Sequence, residues 1–387
     1  MLFKPEHRRL LEFNYPGHDD YADLLSHLGR FMEESILPKS PGFDLHEGDA
    51  VPARKALFEQ GLCQIPYPRS YGGLELPFGV YVTAFELAGA ADAGVAMSAG
   101  IHNTVAEGIF RFGNDSLKKK YIPSVLAGRL LGSFSLTEPS SGSDARSIGT
   151  KAKKQGGEYR LNGSKAFITN AGEADVYFVF ASTEKGPSAF VVEKSFPGID
   201  FGSDLPKLGM RSSRTSEVRF VDCVVPEENL VGKEGEAFEY AKAMLNTSRI
   251  VMGSICVGIA QIAFDKAVAY SKQRKAFGLT ISEFQLIREK IANMATEITA
   301  GRLLCMNAAR LKERGADYSS EASQAKLFST EMSARACDSA IQVFGGYGYT
   351  TDDIHRHWRD ARLLTIGEGT SEVLRLLIAR RELARSS

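Results

Sequence analysis

Residues 159–169 read Tyr159-Arg-Leu-Asn-Gly-Ser-Lys-Ala-Phe-Ile-Thr169, and this stretch decides the fold class of the middle of the chain. Residues 159–161 and 166–169 are β-rich runs, and Asn162-Gly163 between them is typical of a tight turn joining two strands. Runs of the same kind continue through residues 130–232, separated by Gly and Pro pairs. The pattern predicts a small middle β domain of about 100 residues.

The sequence on both sides of this segment has helical periodicity. Residues 78–112 are nearly uncharged, which predicts a long helical segment buried on most faces. Two further apolar stripes step by three or four residues: Val251, Ile255, Ile259 and Ile262, and then Ile287, Ile291, Met294 and Ile298. The prediction is therefore an α+β fold, with an N-terminal α-helical domain (1–129), a middle β-barrel-like domain (130–234) and a C-terminal four-helix bundle (235–387).

The composition excludes some classes of protein. The 387 residues contain 47 Lys+Arg and 47 Asp+Glu, a balance that argues against a strongly basic nucleic-acid binder. The five cysteines form no CxxC pair, so we expect reduced, buried thiols. We see no signal peptide and no apolar span of about 20 residues, so the sequence favours the cytoplasm. His355 and His357 favour a surface pair over a metal site.

Three segments place glycines and hydroxyls where a packed core has no use for them. Residues 134–144 form a Gly/Ser loop whose N–H and hydroxyl groups suit a phosphate or a planar polar heterocycle. Phe167 and Thr169 share one face of a strand and could pack against a ring system. The glycines in residues 342–349 allow another molecule to approach the backbone closely. An ordinary turn, a half-buried strand and a helix end are the alternative interpretations.

The fourth segment is Ile366-Gly-Glu-Gly-Thr-Ser-Glu372. Glu368 lies between two glycines, which leaves room around its carboxylate. Thr370 or Ser371 could cap the following helix, and Glu372 would favour its positive end. The segment is therefore either a capping loop or the position of a general base, Glu368, whose pKa an apolar environment raises.

Taken together, these segments resemble the acyl-CoA dehydrogenase family over nearly the whole chain. The resemblance rests on five motifs that stand in the family's order. They are Thr137-Glu-Pro with Gly142-Ser-Asp144, residues 163–170, Arg274-Lys-Ala-Phe-Gly278 followed by Phe284-Gln285, residues 342–349, and Glu368-Gly-Thr-Ser-Glu372.

The resemblance implies tightly bound FAD and no metal. The residues that it implies for cofactor binding are Phe134, Leu136, Thr137, Ser143, Phe167, Ile168, Thr169, Arg274, Phe277, Gln285, Gln342, Val343, Gly345, Gly346, Thr370, Ser371 and Glu372. Arg274, Gln285 and residues 342–346 would hold the FAD of a neighbouring subunit. For the acyl-CoA substrate it implies Ser143, Asn246, Arg249 and Gly369.

The resemblance also implies a reaction. Glu368 would take the α-proton of an acyl-CoA thioester while FAD accepts the β-hydrogen as hydride, giving the trans-2-enoyl-CoA. An electron-transfer flavoprotein would accept the electrons, and the enzyme would be a homotetramer, a dimer of dimers, with no nucleic-acid or membrane partner. The expected compartment is the bacterial cytoplasm, or the mitochondrial matrix if a presequence was removed.

The chain departs from the family pattern at several positions. Phe167 and Asn246 stand where many members carry Trp and Asp, and Ser248 cannot be the base that some relatives place there. Gly367 replaces a bulky residue, which predicts room for a branched or cyclic acyl group, and Ala96 and Gly100 fall near the pocket floor.

Other functions of the same fold are an acyl-CoA oxidase, a nitroalkane oxidase and a non-catalytic DNA-binding relative. The length of the chain and Glu368 argue against the two oxidases. The neutral charge and the absence of an extra basic C-terminal segment argue against the DNA-binding relative.

Overall fold

The computed structural model describes residues 1–351 and 353–385. The first part of the chain is helical. Its α-helices are α1 (Pro5–Asn14), α2 (Asp19–Ser35), α3 (Ser40–Asp44), α4 (Val51–Glu59), α5 (Phe78–Ala91), α6 (Ala93–Phe112) and α7 (Asp115–Leu126). Residues 78–112 are buried as predicted, but they form two helices rather than one. The break is at Asp92, whose side chain caps α6 by accepting a hydrogen bond from Val95 N at 2.9 Å.

The middle of the chain forms one eight-stranded sheet in the order β6-β7-β3-β2-β4-β5-β8, with β1 paired in parallel to β4. The strands are β1 (Gly132–Ser135), β2 (Lys151–Gln155), β3 (Glu158–Thr169), β4 (Val176–Thr183), β5 (Gly186–Glu193), β6 (Ile199–Phe201), β7 (Thr215–Pro226) and β8 (Leu230–Val231).

The turn predicted at Asn162-Gly163 is wrong. β3 runs through this pair, and its register against β7 shifts between Leu161 and Gly163. Asn162 instead pairs with Asp222 across the two strands. Asn162 Nδ2 donates to Asp222 Oδ1, and Asp222 N donates to Asn162 Oδ1, both at 2.9 Å. The pair therefore forms a β-bulge, which a short Asn-Gly signal does not distinguish from a hairpin turn.

Helices return after the sheet. They are α8 (Ala237–Gln273), α9 (Gln285–Glu313), α10 (Ser319–Phe344), α11 (Gly346–Thr350), α12 (Ile354–Leu364) and α13 (Ser371–Arg385); β9 (Lys275–Ala276) and β10 (Leu279–Thr280) form a small hairpin between α8 and α9. α8 is long and apolar enough to cross a membrane by length and composition, contrary to the expected absence of such a span. However, 78% of its most apolar window is buried inside the molecule, as in the core helix of a soluble protein.

One core joins the N-terminal and C-terminal helices. A Cβ added at Gly258 on α8 would lie 2.0 Å from Glu86 O on α5, so only glycine permits this close packing. Glu86 itself is buried, and it binds the guanidinium of Arg302 on α9 and the ring of His7 on α1. This packing fixes α5, α8 and α9 against one another.

Other predictions can be compared with the structure directly. All five cysteines are free and buried, as expected. The prediction of a surface histidine pair is wrong for His357, which is buried and whose pKa burial lowers well below its ordinary value. Within the described residues, no group of three or more His, Cys, Asp or Glu could hold a metal ion. Asp352, considered as a ligand near that pair, and the last two residues of the predicted C-terminal domain lie outside the described residues.

Candidate active site

Glu368 lies in the loop between α12 and α13, in a backbone conformation that side chains rarely adopt. Its φ is 59° and that of Gly369 is 94°. A residue other than glycine in this region costs about 1–3 kcal/mol and is typical of functional sites. The loop is fixed by hydrogen bonds from Gly367 N to Leu363 O (3.0 Å) and from Ser371 N to Thr365 O (3.1 Å).

One oxygen of the Glu368 carboxyl group, Oε2, is buried and has no hydrogen-bond partner among the described residues. Burial raises the pKa of Glu368 above its ordinary value, and the charges of Arg249 and Lys326 and the hydroxyl of Ser248 oppose that rise. A carboxyl group with a buried oxygen that has no partner and with a raised pKa has the properties of a general base.

Two cations from different helices hold this loop. Arg249 on α8 is buried, and its Nε donates to Glu368 O at 3.4 Å while its Nη1 donates to Asn246 Oδ1 at 2.9 Å. Lys326 on α10 is fully buried and donates from Nζ to Gly369 O at 2.6 Å. The structure therefore brings together four predicted residues: Glu368, Gly369, Arg249 and Asn246.

Sequence reasoning missed Lys326. The signal was present, since Lys326 is the one long cation on a face of α10 that otherwise carries small side chains such as Ala322, Ser329 and Ser333, all buried. Burial lowers the pKa of Lys326 to about 8, and the neighbouring Cys256 and Glu368 oppose this effect.

A second group of predicted residues meets where β1 and β3 approach each other. Ala166 N donates to Thr137 O at 2.9 Å, and Ser133 Oγ donates to Thr169 O at 2.7 Å. Phe134 is half-buried against Phe178 and Phe180, and Leu136 is also half-buried. Ser143 is exposed in the loop that follows.

A buried ion pair that the sequence analysis did not identify fixes the loop 136–150. Lys165 Nζ donates to Glu138 Oε1 at 2.7 Å and to Leu136 O at 3.2 Å. The Glu138 carboxylate also accepts from Gly149 N (2.6 Å) and Thr150 N (3.0 Å). Both ends of the loop 136–150 are thus tied to one carboxylate.

The third group lies at the junction of α8, the β9–β10 hairpin, α9 and α10. A cavity of about 720 Å³ is lined by Arg274, Phe277, Val343, Gly345 and Gly346, among others. The predicted residues Gln285 and Gln342 are exposed nearby on α9 and α10 but do not line it. None of the described residues around Glu368 lines this cavity, so the structure of the single chain does not join the cavity to the Glu368 loop.

The residues expected to bind FAD fit a planar cofactor with phosphate groups. Phe167 has a φ of 57° in a β-bulge that leaves its ring 70% exposed, while Ile168 beside it is buried in the core. The Ser371 hydroxyl at the N-terminal end of α13 is buried without a partner in the described part of the chain. Cβ atoms added at Gly142, Gly345 or Gly346 would meet nothing within 4 Å, so their backbones are open to another molecule.

The comparisons with known proteins cover most of the chain. Three family models match in order: acyl-CoA dehydrogenase, N-terminal domain, at residues 18–129; middle domain, at residues 133–223; and C-terminal domain, at residues 235–383. An acyl-CoA dehydrogenase of Bacillus subtilis is 44% identical over 357 residues, which are 90% of this chain and 94% of that protein. The human mitochondrial short-chain specific acyl-CoA dehydrogenase is 38% identical over 365 residues, 92% of this chain and 88% of that protein.

Solved structures agree with the sequence relatives. Butyryl-CoA dehydrogenase from Megasphaera elsdenii superposes with a TM-score of 0.92 at 36% identity, covering 94% of this chain and 98% of that one. A chain from the structure of the electron transferring flavoprotein of Acidaminococcus fermentans gives 0.93 at 39% identity, covering 95% and 99%. The acyl-CoA dehydrogenase of Bacillus anthracis complexed with FAD gives 0.89 at 33% identity, covering 95% and 67%. This chain belongs to the acyl-CoA dehydrogenase family.

Proposed function

We propose that this protein dehydrogenates a short acyl-CoA thioester between its α and β carbons, with Glu368 as the base. The observation that carries the proposal is the Glu368 carboxyl group: it lies between two glycines, its Oε2 has no partner among the described residues, and burial raises its pKa. The family assignment supports FAD-dependent acyl-CoA dehydrogenation, and the relatives named for short-chain and butyryl substrates support a short acyl group.

The α-proton of a thioester is weakly acidic, so its removal needs a base that is both strong and correctly positioned. A raised pKa makes the Glu368 carboxylate a stronger base, and Arg249 and Lys326 favour its ionised form at neutral pH. The negative charge that develops on the thioester oxygen needs a donor. The backbone N–H of Glu368 donates to no acceptor in the described part of the chain and supplies that donor.

Within one subunit, the residues where β1 and β3 meet and the residues that follow Glu368 would together bind one FAD. Phe134 to Ser143 and Phe167 to Thr169 would face the flavin, and Thr370, Ser371 and Glu372 would offer hydroxyls and the N-terminal end of α13. When bound, FAD accepts the hydride that leaves the β-carbon. The protein's part is to keep the thioester between that ring system and Glu368 and to exclude water.

Arg249 and Asn246 would place the CoA ester, together with Ser143 and Gly369. Asn246 stands where many relatives carry an acid, yet its Oδ1 still accepts from Arg249 Nη1 at 2.9 Å. An amide in place of a carboxylate leaves the Arg249 charge less neutralised. The positive charge of Arg249 therefore remains available to interact with the Glu368 loop and with an anionic substrate.

Gly367 supports a substrate with substituents beside the reacting carbons. A Cβ at this position would have only Leu363 O within 4 Å, at 3.9 Å. Gly100 contributes less room than the sequence predicts, because the Met252 methyl group already fills the space where a side chain would stand, 2.9 Å from an added Cβ. The proposal of a branched or cyclic acyl group therefore depends on the space at Gly367.

The acyl-CoA family and the flavoprotein neighbour support an electron-transferring flavoprotein as the acceptor. A homotetramer built from dimers is supported by the third residue group. Phe277 is 96% exposed beside the 720 Å³ cavity, an arrangement that suits burial against a second copy whose FAD this cavity would hold. Bacterial and mitochondrial relatives are both known, and we propose the bacterial cytoplasm or the mitochondrial matrix.

The test is anaerobic bleaching of the yellow enzyme by a panel of acyl-CoA thioesters. We expect straight and branched thioesters of four or five carbons to bleach the flavin, and an electron-transferring flavoprotein to restore the colour. An enzyme that is bleached by no thioester, or that is reoxidised by oxygen with a full yield of peroxide, would contradict the proposal.

A further inference from the structure

A cavity of about 130 Å³ lies between α5, α6, α8 and α9, and Ser248 connects it to the catalytic loop. Ser248 lines the cavity and directly precedes Arg249, whose Nε donates to Glu368 O at 3.4 Å. The Ser248 hydroxyl also lowers the pKa of the Glu368 carboxyl group. An engineered apolar cavity of about 150 Å³ admits benzene, so this space suits an acyl group of about four to six heavy atoms. The cavity is therefore the place where the acyl chain of the proposed substrate would lie.

The wall of this cavity is more polar than an alkyl chain requires. Asn103 is 3% exposed and lines the cavity, and its Oδ1 has no hydrogen-bond partner among the described residues. Its Nδ2 donates to the Tyr81 hydroxyl at 2.6 Å, which fixes the amide. Within the described part of the chain, the proton of Tyr81 has no acceptor. A free acceptor and a free donor thus lie side by side in the wall, and a buried polar atom without a partner is costly.

The charged residues at the other end of the cavity are already paired. Glu107 Oε1 accepts from Arg111 Nη1 (3.1 Å), Thr247 Oγ1 (2.7 Å) and Lys312 Nζ (3.0 Å). Arg111 and Lys312 both bind this one carboxylate, which neutralises one of their two positive charges. At the Asn103 end of the cavity, a ligand carboxylate would face the lone pairs of Asn103 Oδ1. That end therefore favours a neutral group that both donates and accepts a hydrogen bond.

We infer that the acyl group selected by this enzyme carries a hydroxyl on its chain, which donates to Asn103 Oδ1 and accepts from the Tyr81 O–H. This inference rests on the proposed function and specifies its substrate class. A site built to bind a hydroxyl discriminates strongly against the analogue that lacks it, because its own polar atoms are then left unpaired. An apolar pocket discriminates only weakly between the same two ligands.

The test compares kcat/KM for pairs of thioesters of equal chain length: 4-hydroxybutyryl-CoA and butyryl-CoA, 5-hydroxyvaleryl-CoA and valeryl-CoA, 6-hydroxyhexanoyl-CoA and hexanoyl-CoA, with glutaryl-CoA as the anionic probe. We expect at least one hydroxyacyl thioester to exceed its partner about tenfold or more. A smaller preference in every pair, or a preference for glutaryl-CoA, overturns the inference.

Variants identify the residue responsible. Asn103→Leu removes the acceptor and should abolish the preference, and Tyr81→Phe should reduce it. Thr104→Val is the matched control, since Thr104 lines the same cavity but its hydroxyl is bound to Gly100 O at 3.0 Å; it should keep the preference. The preference is a ratio measured on one preparation, so a partly unfolded variant does not distort it. If Asn103→Leu keeps the preference, the inference is wrong.

The same panel separates this inference from the proposed function. If unsubstituted thioesters bleach the flavin as well as the hydroxylated ones, dehydrogenation stands and only hydroxyl selection fails. If none of the thioesters bleaches it, the proposed function fails as well.

Discussion

The ammonium group of Lys326 donates a hydrogen bond of 2.6 Å to the carbonyl oxygen of Gly369, the residue that follows the proposed base. Gly369 has a φ of 94°, so this bond fixes the strained turn that directs Glu368. Lys326 is fully buried and its charge also lowers the pKa of Glu368. One side chain from α10 therefore contributes to both the position and the basicity of a carboxylate in a distant loop.

Replacing Lys326 by Met should lower kcat and change its pH dependence. Without the cation the pKa of Glu368 rises further, so the acid limb of the kcat profile should move to higher pH. The measurement is kcat against pH for an acyl-CoA that bleaches the wild-type flavin. Lys207→Met provides the control, because Lys207 is another lysine whose pKa burial lowers, to about 8, but it binds Thr215 Oγ1 (3.1 Å) in the sheet. A wild-type pH profile in Lys326→Met would show that Lys326 is only structural.

Glu368→Gln should abolish most turnover while keeping the yellow colour. The amide has nearly the same shape but cannot accept the α-proton, and loss of a general base typically costs about 10²–10⁴-fold in kcat. In the wild type, activity should fall on acidification at a pH above the ordinary glutamate value, because burial raises the pKa of Glu368. Glu283→Gln changes a surface carboxylate paired with Arg288 and serves as the control. Turnover at wild-type level in Glu368→Gln would rule out this residue as the base.

The same substitution should change the pH dependence of stability in a defined direction. The folded protein raises the pKa of Glu368, so it binds this proton more tightly than the unfolded chain does. The associated stability is present below the unfolded pKa and is lost as pH rises through the folded pKa. Glu368→Gln should therefore gain thermal stability relative to the wild type at pH 7–8 and show no gain near pH 4. Melting curves of both proteins at the two pH values test this, and an equal difference at both would contradict it.

The buried pair of Glu138 and Lys165 should matter for folding and for FAD retention. Glu138→Gln leaves a buried ammonium without its carboxylate, and breaking one partner of such a pair costs about 3–5 kcal/mol. Because Glu138 also holds Gly149 N and Thr150 N, the loop 136–150 should loosen and release FAD more readily. The measurements are the denaturation midpoint and the flavin content after dialysis.

The control for that pair is Glu227→Gln, which removes an ion pair between Glu227 and Lys154 in which both side chains are about half exposed. Exposed pairs contribute at most about 1 kcal/mol. Equal losses of stability in Glu138→Gln and Glu227→Gln would show that burial of the first pair has no consequence.

Much of this architecture could be predicted from periodicity and turn residues. The segment 78–112 and the two apolar stripes at 251–262 and 287–298 are helical as predicted, in α5, α6, α8 and α9, because apolar spacing is a local signal. The break at Asp92 was not predictable from apolarity, since both flanking helices are buried on nearly every face. The bulge at Asn162-Gly163 was misread because the pairing partner that decides it, β7, lies some 60 residues away in the chain.

The site residues also divide into those that local sequence identifies and those that it does not. Glu368 was identifiable because two glycines and a cap surround it in sequence. Lys165 and Asn103 were not, because their roles depend on burial and on partners from other elements. Lys326 stands out as a long cation among small side chains of α10, but this pattern does not show which group it binds. No motif marks a lysine that reaches a carbonyl across 43 residues, or an amide oxygen left without a partner in a cavity.

Gly367→Tyr should narrow the substrate range on one side of the reacting carbons. Gly367 does not adopt a positive φ, and an added Cβ would meet only Leu363 O, at 3.9 Å, so a side chain is accommodated without backbone strain. A tyrosine ring would then occupy the room beside Glu368. The ratio of kcat/KM for isobutyryl-CoA over butyryl-CoA should fall about tenfold or more, whereas Gly367→Ala should lower it only slightly, because a single methyl group fills little of that space. If both variants keep the wild-type ratio, the space at Gly367 does not face the acyl group, and a branched substrate loses its structural support.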